Sequence, residues 1–236
     1  MTFDDVEEAF HEALDVSLEP RGPELLYDLV AGLGLPAGAR AVDVGSGRGT
    51  HTRALAERFG LDVVAVDPAD GTGRAEALPL ADGSVDLVWC RDVLSLVADV
   101  DAAFREFRRV LRPDGRAIVY LMLTGPRFDE RDVADVILPL ESVPSSLDER
   151  VIEGAIAAAC FAVLRRIEIG SDWGEHAEEH EGKPGRRLLW AARLLRDPDR
   201  YVTRFGDAHH RTMLADCLWH VGAMTGKLHR RAYVLA

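Results

Sequence analysis

An acidic residue followed by three alternating glycines, Asp43-Val44-Gly45-Ser46-Gly47-Arg48-Gly49, is the stretch of this chain with the most chemical content. Apolar Ala41 and Val42 precede it. An amphipathic segment from Thr50 to Phe59 follows, with Leu55, Ala56 and Phe59 on one side. Strand, tight glycine loop and helix in that order form the entry of a nucleotide-type site. Glycine lets the backbone turn sharply and lie against a ligand with no Cβ in between. The start of the helix behind the loop offers unpaired N–H groups and a partial positive charge. A second apolar run, Val63 to Val66, ends at Asp67, roughly 20 residues further on, where a carboxylate accepts ribose hydroxyls and repels a ribose phosphate. The dinucleotide fingerprint asks for Gly or Ala where this chain has Thr50, so the pattern is D-x-G-x-G-x-G instead.

Two downstream blocks extend the pattern. Ala75-Glu76-Ala77-Leu78-Pro79-Leu80-Ala81-Asp82-Gly83-Ser84-Val85-Asp86-Leu87-Val88 and Arg109-Val110-Leu111-Arg112-Pro113-Asp114-Gly115-Arg116 follow the loop in order. Together the three motifs resemble the class I S-adenosylmethionine-dependent methyltransferases, whose blocks read AExLPFxDxSFDxV and RVLKPGG. The resemblance covers residues 41 to 120, about half of the chain. It implies a Rossmann-like, doubly wound, mostly parallel α/β sheet with an antiparallel last strand. It also implies methyl transfer from S-adenosylmethionine, with S-adenosylhomocysteine as product, to a small organic acceptor at O, N or C. By resemblance, Gly45, Ser46, Gly47 and Gly49 lie under the methionine part of the cofactor. Asp43 helps to hold its amino group, Asp67 and Pro68 adjoin the ribose, Ala75 and Glu76 the adenine, and Cys90 and Arg91 the methionine side. A solvated loop carboxylate is an equal reading of Glu76, and core packing is the plainer reading of the Cys90 thiol.

The elements that must hold these residues read as strands at 40–44, 63–67, 85–90 and 116–123, with helices at 50–59 and 99–111. The last of these strands is apolar almost throughout, as a strand covered on both faces should be. Residues 68 to 78 leave too little chain for a crossover helix and a further strand. The third edge strand is therefore expected to be missing or vestigial, with the adenine side more open. Arg74 stands where the family often has an Asp that accepts from the adenine amino group. A guanidinium accepts nothing, so Arg74 either stacks on adenine or points to solvent.

On the flanks, residues 4–33 read as one or two amphipathic helices broken at Pro20 to Pro23, with Val6, Phe10 and Leu14 at helical spacing. Ser145 or Ser146 can cap a helix over Leu147 to Ala159. Phe161, Val163, Ile167 and Ile169 are spaced for a strand. Helices over 175–220 form an insertion suited to a substrate lid, and Arg231 to Leu235 alternates like a final strand. The resemblance makes that strand the antiparallel one, inserted between the fifth and sixth. The expected division is a single domain, 1–236: an N-terminal helical cap (1–38), a cofactor-binding core (39–125) and substrate-side helices with the last two strands (126–236).

The family's "LxHV" histidine is Leu96 here, so a proton acceptor has to come from elsewhere. Late histidines and Trp173, Trp190 and Trp219 share the lid, a setting for a flat organic substrate. His176, His180 and His220 are the candidate bases, against the ordinary reading of surface or packed histidines. His176-Ala177-Glu178-Glu179-His180 also fits an H-x-x-E-H zinc-peptidase pattern, but the flanking Gly174 and Gly182 and the lack of a distant third ligand argue against it. No metal is expected.

The net charge of −12 excludes a nucleic-acid backbone as substrate, since that needs a basic footprint. Residues 1–28 carry nine acids against Arg21 alone, while 186–204 carry six arginines. These are two solvated faces or two segments that meet, within one chain or across a dimer. Cys90, Cys160 and Cys217 form no CxxC, which suits a reducing cytoplasm. The acidic start has no apolar signal core, and the longest apolar run, Ala155 to Leu164, is too short for a bilayer. The expectation is thus a cytoplasmic monomer or homodimer with a small-molecule acceptor, no nucleic acid and no membrane. Two other functions stay open: a protein that binds the cofactor but acts as a cyclase-like catalyst or regulator, and a nicotinamide-dependent oxidoreductase, which Thr50 and the glycine spacing disfavour.

Overall fold

A computed structural model describes Glu7, Phe10 and residues 13–236. Its centre is one six-stranded sheet: β1 (Arg40–Val44), β2 (Asp62–Val66), β3 (Val85–Arg91), β4 (Leu111–Thr124), β5 (Val163–Glu168) and β6 (Leu228–Leu235), in the order β2-β1-β3-β4-β6-β5. The first four strands are parallel, and β6 runs antiparallel to both β4 and β5. This is the expected sheet, with the final strand inserted before the one that precedes it in sequence. It reaches further than expected, starting at Leu228. β4 also starts early, because Leu111 already pairs with Val85 before a register shift brings Arg116 opposite Leu87.

Alternation along the strands sends side chains to two cores. Val42, Val88, Cys90, Val119 and Tyr233 join α3 (Val100–Val110) and α4 (Glu149–Ala158) on one face. Ala41, Trp89, Ile118 and Val234 join α1 (Glu24–Gly32), α2 (Thr50–Phe59) and Trp173 on the other. Runs such as Val85–Arg91 are nearly all apolar because both faces are covered. Asp99 caps α3 by accepting from the Ala102 N–H at 2.8 Å.

Between Asp67 and Val85 the chain forms only a 3₁₀ turn, Pro68–Asp70, and one bridge between Arg74 and Ala77. The third helix and edge strand are absent from this link, and β2 is the edge of the sheet. Arg109 holds the abbreviated link in place. It donates to the Leu78 and Leu80 carbonyls at 3.0 and 2.8 Å and to Asp82 at 2.7 Å, while Glu106 accepts from the Leu78 N–H at 2.8 Å.

Four helices follow β5: α5 (Asp172–Glu181), α6 (Lys183–Arg196), α7 (Pro198–Phe205) and α8 (Asp207–Met224), of which α5, α6 and α8 line the space beyond the carboxyl ends of β3 and β4. Two of the flanking expectations change. Asp148, not Ser145 or Ser146, caps α4, accepting from the Arg150 N–H at 2.8 Å, while Ser146 is buried and donates to the Val97 carbonyl. Phe10 and Leu14 are 59% and 73% exposed, so the apolar spacing at the start does not bury these two side chains. Val6 lies outside the described residues. Among those residues no helix is long and apolar enough to cross a membrane.

Candidate active site

The glycine loop is fastened to the end of β2. The N–H groups of Gly45 and Ser46 both donate to the Val66 carbonyl, at 2.7 and 3.2 Å. Gly45, Gly47 and Gly49 all have positive φ, +71°, +51° and +71°, where a Cβ is strained. Gly45 is also closely packed: a Cβ there would stand 2.1 Å from Val93 Cγ2. Gly47 is the opposite case, with no atom within 4 Å of where its Cβ would be. The loop therefore rests on the β3 end at Gly45 and leaves open room at Gly47.

Two carboxylates flank that room. Asp67 accepts the Gly47 N–H at 2.8 Å and the Ala69 N–H at 2.9 Å, one on each oxygen. A carboxylate has about four lone-pair sites, so acceptor capacity is left for two hydroxyls. Asp43 is 2% exposed and accepts from the Thr52 hydroxyl at 2.6 Å. Burial pushes its carboxyl up to about 6, against the lowering effect of Thr52. A buried carboxylate in that condition has electrostatic room for a cation. Open space at Gly47, spare acceptors on Asp67 and an undercompensated Asp43 together fit the ribose and ammonium ends of a nucleoside amino acid. On the adenine side Ala75 is buried. Arg74 is exposed and pairs with Glu76 at 3.1 Å; that contact leaves Glu76 half-buried beside the link.

A group not singled out in sequence stands beside the loop. His51, on the first turn of α2, lies 2.7 Å from the Tyr27 hydroxyl through Nδ1 and 3.1 Å from Arg91 Nη1 through Nε2. Arg91 can only donate, so Nε2 accepts and the proton sits on Nδ1, donated to Tyr27. Burial, with Arg91 nearby, pulls His51 down to about 4 and keeps it neutral. Cys90 is fully buried, and burial pushes its thiol up, consistent with packing. The sequence signal for His51 was its place directly behind the loop. Its partners lie 24 and 40 residues away.

Arg91 joins the loop to a cavity of about 680 Å³ beneath the lid. Its guanidinium lies 5.7 and 5.3 Å from the Tyr120 and Trp173 ring centres, and these two rings stack at 4.4 Å. Asp92, next in the chain, has φ +58°, a conformation that non-glycine residues reach only when held, and its N–H donates to the Tyr120 carbonyl at 3.0 Å. Asp92 faces the cavity with its side chain 54% exposed to that space and pairs with Arg91 at 3.4 Å; the surrounding protein raises its carboxyl against the opposing pull of Arg91. Five cations line the cavity (Arg91, Lys183, Arg186, Arg187 and Arg230) against two carboxylates, Asp92 and Glu181.

Of the three histidine candidates, the structure brings His220 to this cavity. Its Nδ1 contacts the Asp216 carbonyl at 2.8 Å. That carbonyl can only accept, so Nδ1 carries the proton and the Nε2 lone pair is left free. His176 and His180 do not line the cavity: their rings stack on each other at 4.1 Å, and His180 Nδ1 binds the His176 carbonyl. Among the described residues no group of three His, Cys, Asp or Glu is placed to hold a metal ion. The acidic start of the chain meets α5 through Ser17, which donates to Glu179 at 2.9 Å, and through Arg21, which pairs with Asp172. Arg186 and Arg187 turn to the cavity. Asp4, Asp5, Glu8 and Glu12 lie outside the described residues.

Comparison with known proteins agrees with this geometry. The profile of a methyltransferase domain family matches residues 42–119. A malonyl-[acyl-carrier protein] O-methyltransferase of Geobacter sulfurreducens is 34% identical over 211 residues, 76% of each chain. A biotin biosynthesis bifunctional protein of Cellvibrio japonicus is 36% identical over 129 residues, 42% of this chain and 25% of that protein. The chain spans about half the length of other curated relatives that it matches. Among solved structures, the [4+2]-cyclase SpnF superposes with a TM-score of 0.63 at 21% identity over 90% of this chain and 79% of that one, a likeness of fold.

Proposed function

Because the chain belongs to the class I S-adenosylmethionine-dependent methyltransferases, we propose that it transfers the cofactor's methyl group to a small organic acceptor bound in the cavity under the lid. One observation carries this reading: a glycine loop with open room at Gly47, flanked by Asp43 and Asp67, is joined through Arg91 to a cation-lined cavity. When bound, the cofactor supplies an electrophilic methyl on a sulfonium, and the protein's work is alignment. Asp67 takes the ribose hydroxyls with its spare lone pairs. Ionised Asp43 holds the methionine ammonium, and Gly45, Ser46, Gly47 and Gly49 keep the backbone close to it. Pro68, Ala75 and Glu76 border the nucleoside, Cys90 packs behind the loop, and neutral His51 fixes Arg91 at the cavity edge.

An O–H or N–H acceptor has to lose a proton. His220 is the group we assign to receive it, at Nε2, with Asp92 on the same cavity wall. A carbon nucleophile that is already electron-rich does without it. In this reading residues 39–125 hold the cofactor and 126–236 enclose the acceptor. The exposed free Cys160 suits a reducing cytoplasm, where the protein works as a monomer or homodimer.

The test is transfer of labelled methyl from S-adenosylmethionine into a fractionated small-molecule extract. A labelled product is expected; for an O–H or N–H acceptor its rate should fall ~10²–10⁴-fold in His220→Ala while S-adenosylhomocysteine affinity is unchanged. Tight S-adenosylhomocysteine binding with no label in any fraction would favour the non-methylating, cyclase-like or regulatory role.

A further inference from the structure

A second cavity of about 890 Å³ lies between α6, α7 and α8, walled by Leu140, Leu194, Tyr201, Phe205 and Met213. It is apolar where the first is charged. The two share Trp190, which lines both. The rest of the partition is an ion pair: Arg187, on the wall of the first cavity, binds Asp216, on the wall of the second, and its guanidinium lies 5.2 Å from the Trp190 ring centre. All three partition side chains are partly exposed, so no packed core separates the spaces. α7 buries none of its residues, and Phe205, 53% exposed, borders the groove.

The head of the path is a built site for an anion. Arg230, 7% exposed, lines the first cavity and donates to the Gly170 carbonyl at 3.3 Å; Asp92 on the same wall offsets part of its charge, and the five cations of the cavity still outnumber its two carboxylates. Arg186 has no carboxylate partner among the described residues. Trp173, 7% exposed, contributes to the same wall. A cationic pocket inside a chain of net charge −12 selects for negative charge. An apolar groove on the far side of Trp190 selects for a hydrocarbon.

From this juxtaposition we propose that the acceptor is an amphiphilic anion: its charged end lies under Arg230 and Arg186, and its apolar tail passes Trp190 into the groove between α6, α7 and α8. This rests on the first cavity being the acceptor site.

The probes are decanoate, 1-decanol and butyrate, titrated into the full chain with saturating S-adenosylhomocysteine. Decanoate should bind about tenfold or more tighter than decanol, which lacks the charge, and than butyrate, which lacks the tail. Met213→Trp, which fills the groove, should bring decanoate down to butyrate's affinity and leave butyrate unchanged. Arg186→Ser should bring it towards decanol's. As a check that needs no groove variant, 11-bromoundecanoate should quench tryptophan emission in the wild type and quench it far less in Trp190→Phe. Equal affinities for the three probes, or decanoate binding indifferent to Met213→Trp, would overturn the proposal while S-adenosylhomocysteine still binds. If S-adenosylhomocysteine fails to bind and decanoate keeps both preferences, the methyltransferase reading falls and the two-part cavity stands.

Discussion

Two buried titratable residues beside the loop are set against each other. Asp43 is raised to about 6 in the folded protein, so its contribution to stability is full below its unfolded value and is lost as pH rises through 6. His51 is lowered to about 4, so its contribution is present above the unfolded histidine value and is lost as pH falls towards 4. Over pH 4 to 6 the two slopes have opposite signs and largely cancel, at an order of 2–3 kcal/mol each. Chemical denaturation across this range should therefore show Asp43→Asn losing stability as pH drops, and His51→Gln gaining it; parallel curves for wild type and both variants would refute the assignment. The same ionisation governs ligand affinity, since only charged Asp43 attracts an ammonium. S-adenosylhomocysteine should bind more tightly as pH rises from 5 to 7, and Asp43→Asn should flatten that rise. Asp43 was legible in the sequence because the loop follows it directly. His51 was not, because its environment is made by Tyr27 and Arg91, which only the folded sheet brings to it.

The loop, the shortened link and the lid differ in how much of their role is local. The positive φ of the three glycines follows from the D-x-G-x-G-x-G spacing, and the missing edge strand follows from simple chain length between Asp67 and Pro79. What each glycine does required the packing. A Cβ at Gly45 meets Val93, so Gly45→Ala should destabilise the fold by several kcal/mol, from strain plus overlap. Gly47 faces open room, so Gly47→Ala should cost only about 1–2 kcal/mol, the strain of its backbone. That variant should keep its thermal transition close to the wild type but lose S-adenosylhomocysteine binding at least tenfold. Equal stability losses for the two variants would contradict the distinction. The lid helices were foreseen as helices, yet which face meets the cavity was not. His176 and His180 share a face at i and i+4 in α5 and stack on each other locally, and only tertiary packing shows that His220 from α8 is the one that reaches the cavity. The cap of α4 moved for a similar reason: Ser145, Ser146 and Asp148 are all competent caps, and Ser146 is drawn into the core by Val97.

At the scale of the whole molecule, charge and topology are divided. The chain is strongly acidic, but the space under the lid is cationic, a pattern invisible in net charge because its members come from α6, β3 and β6. Binding of decanoate should accordingly weaken roughly three- to tenfold between ~0.05 and ~0.5 M NaCl, as screening shortens from beyond to within the cavity's dimensions. S-adenosylhomocysteine, a zwitterion at the loop, should change far less in the same titrations. The sheet itself was foreseen in order and direction, since the three motifs each mark the carboxyl end or the start of a strand in a family with one topology. The central claim is that this sheet carries a working sulfonium-cofactor site with an intact loop and ribose side and a trimmed adenine side. Titration calorimetry of the full chain against S-adenosylhomocysteine and NAD, in wild type and Asp67→Ala, tests it most directly. The account predicts one S-adenosylhomocysteine site per chain, no NAD binding, and a loss of about 1.5–3 kcal/mol in Asp67→Ala, the scale of a charge-assisted hydrogen bond. NAD binding in place of S-adenosylhomocysteine, or an affinity that Asp67→Ala leaves unchanged, would contradict it.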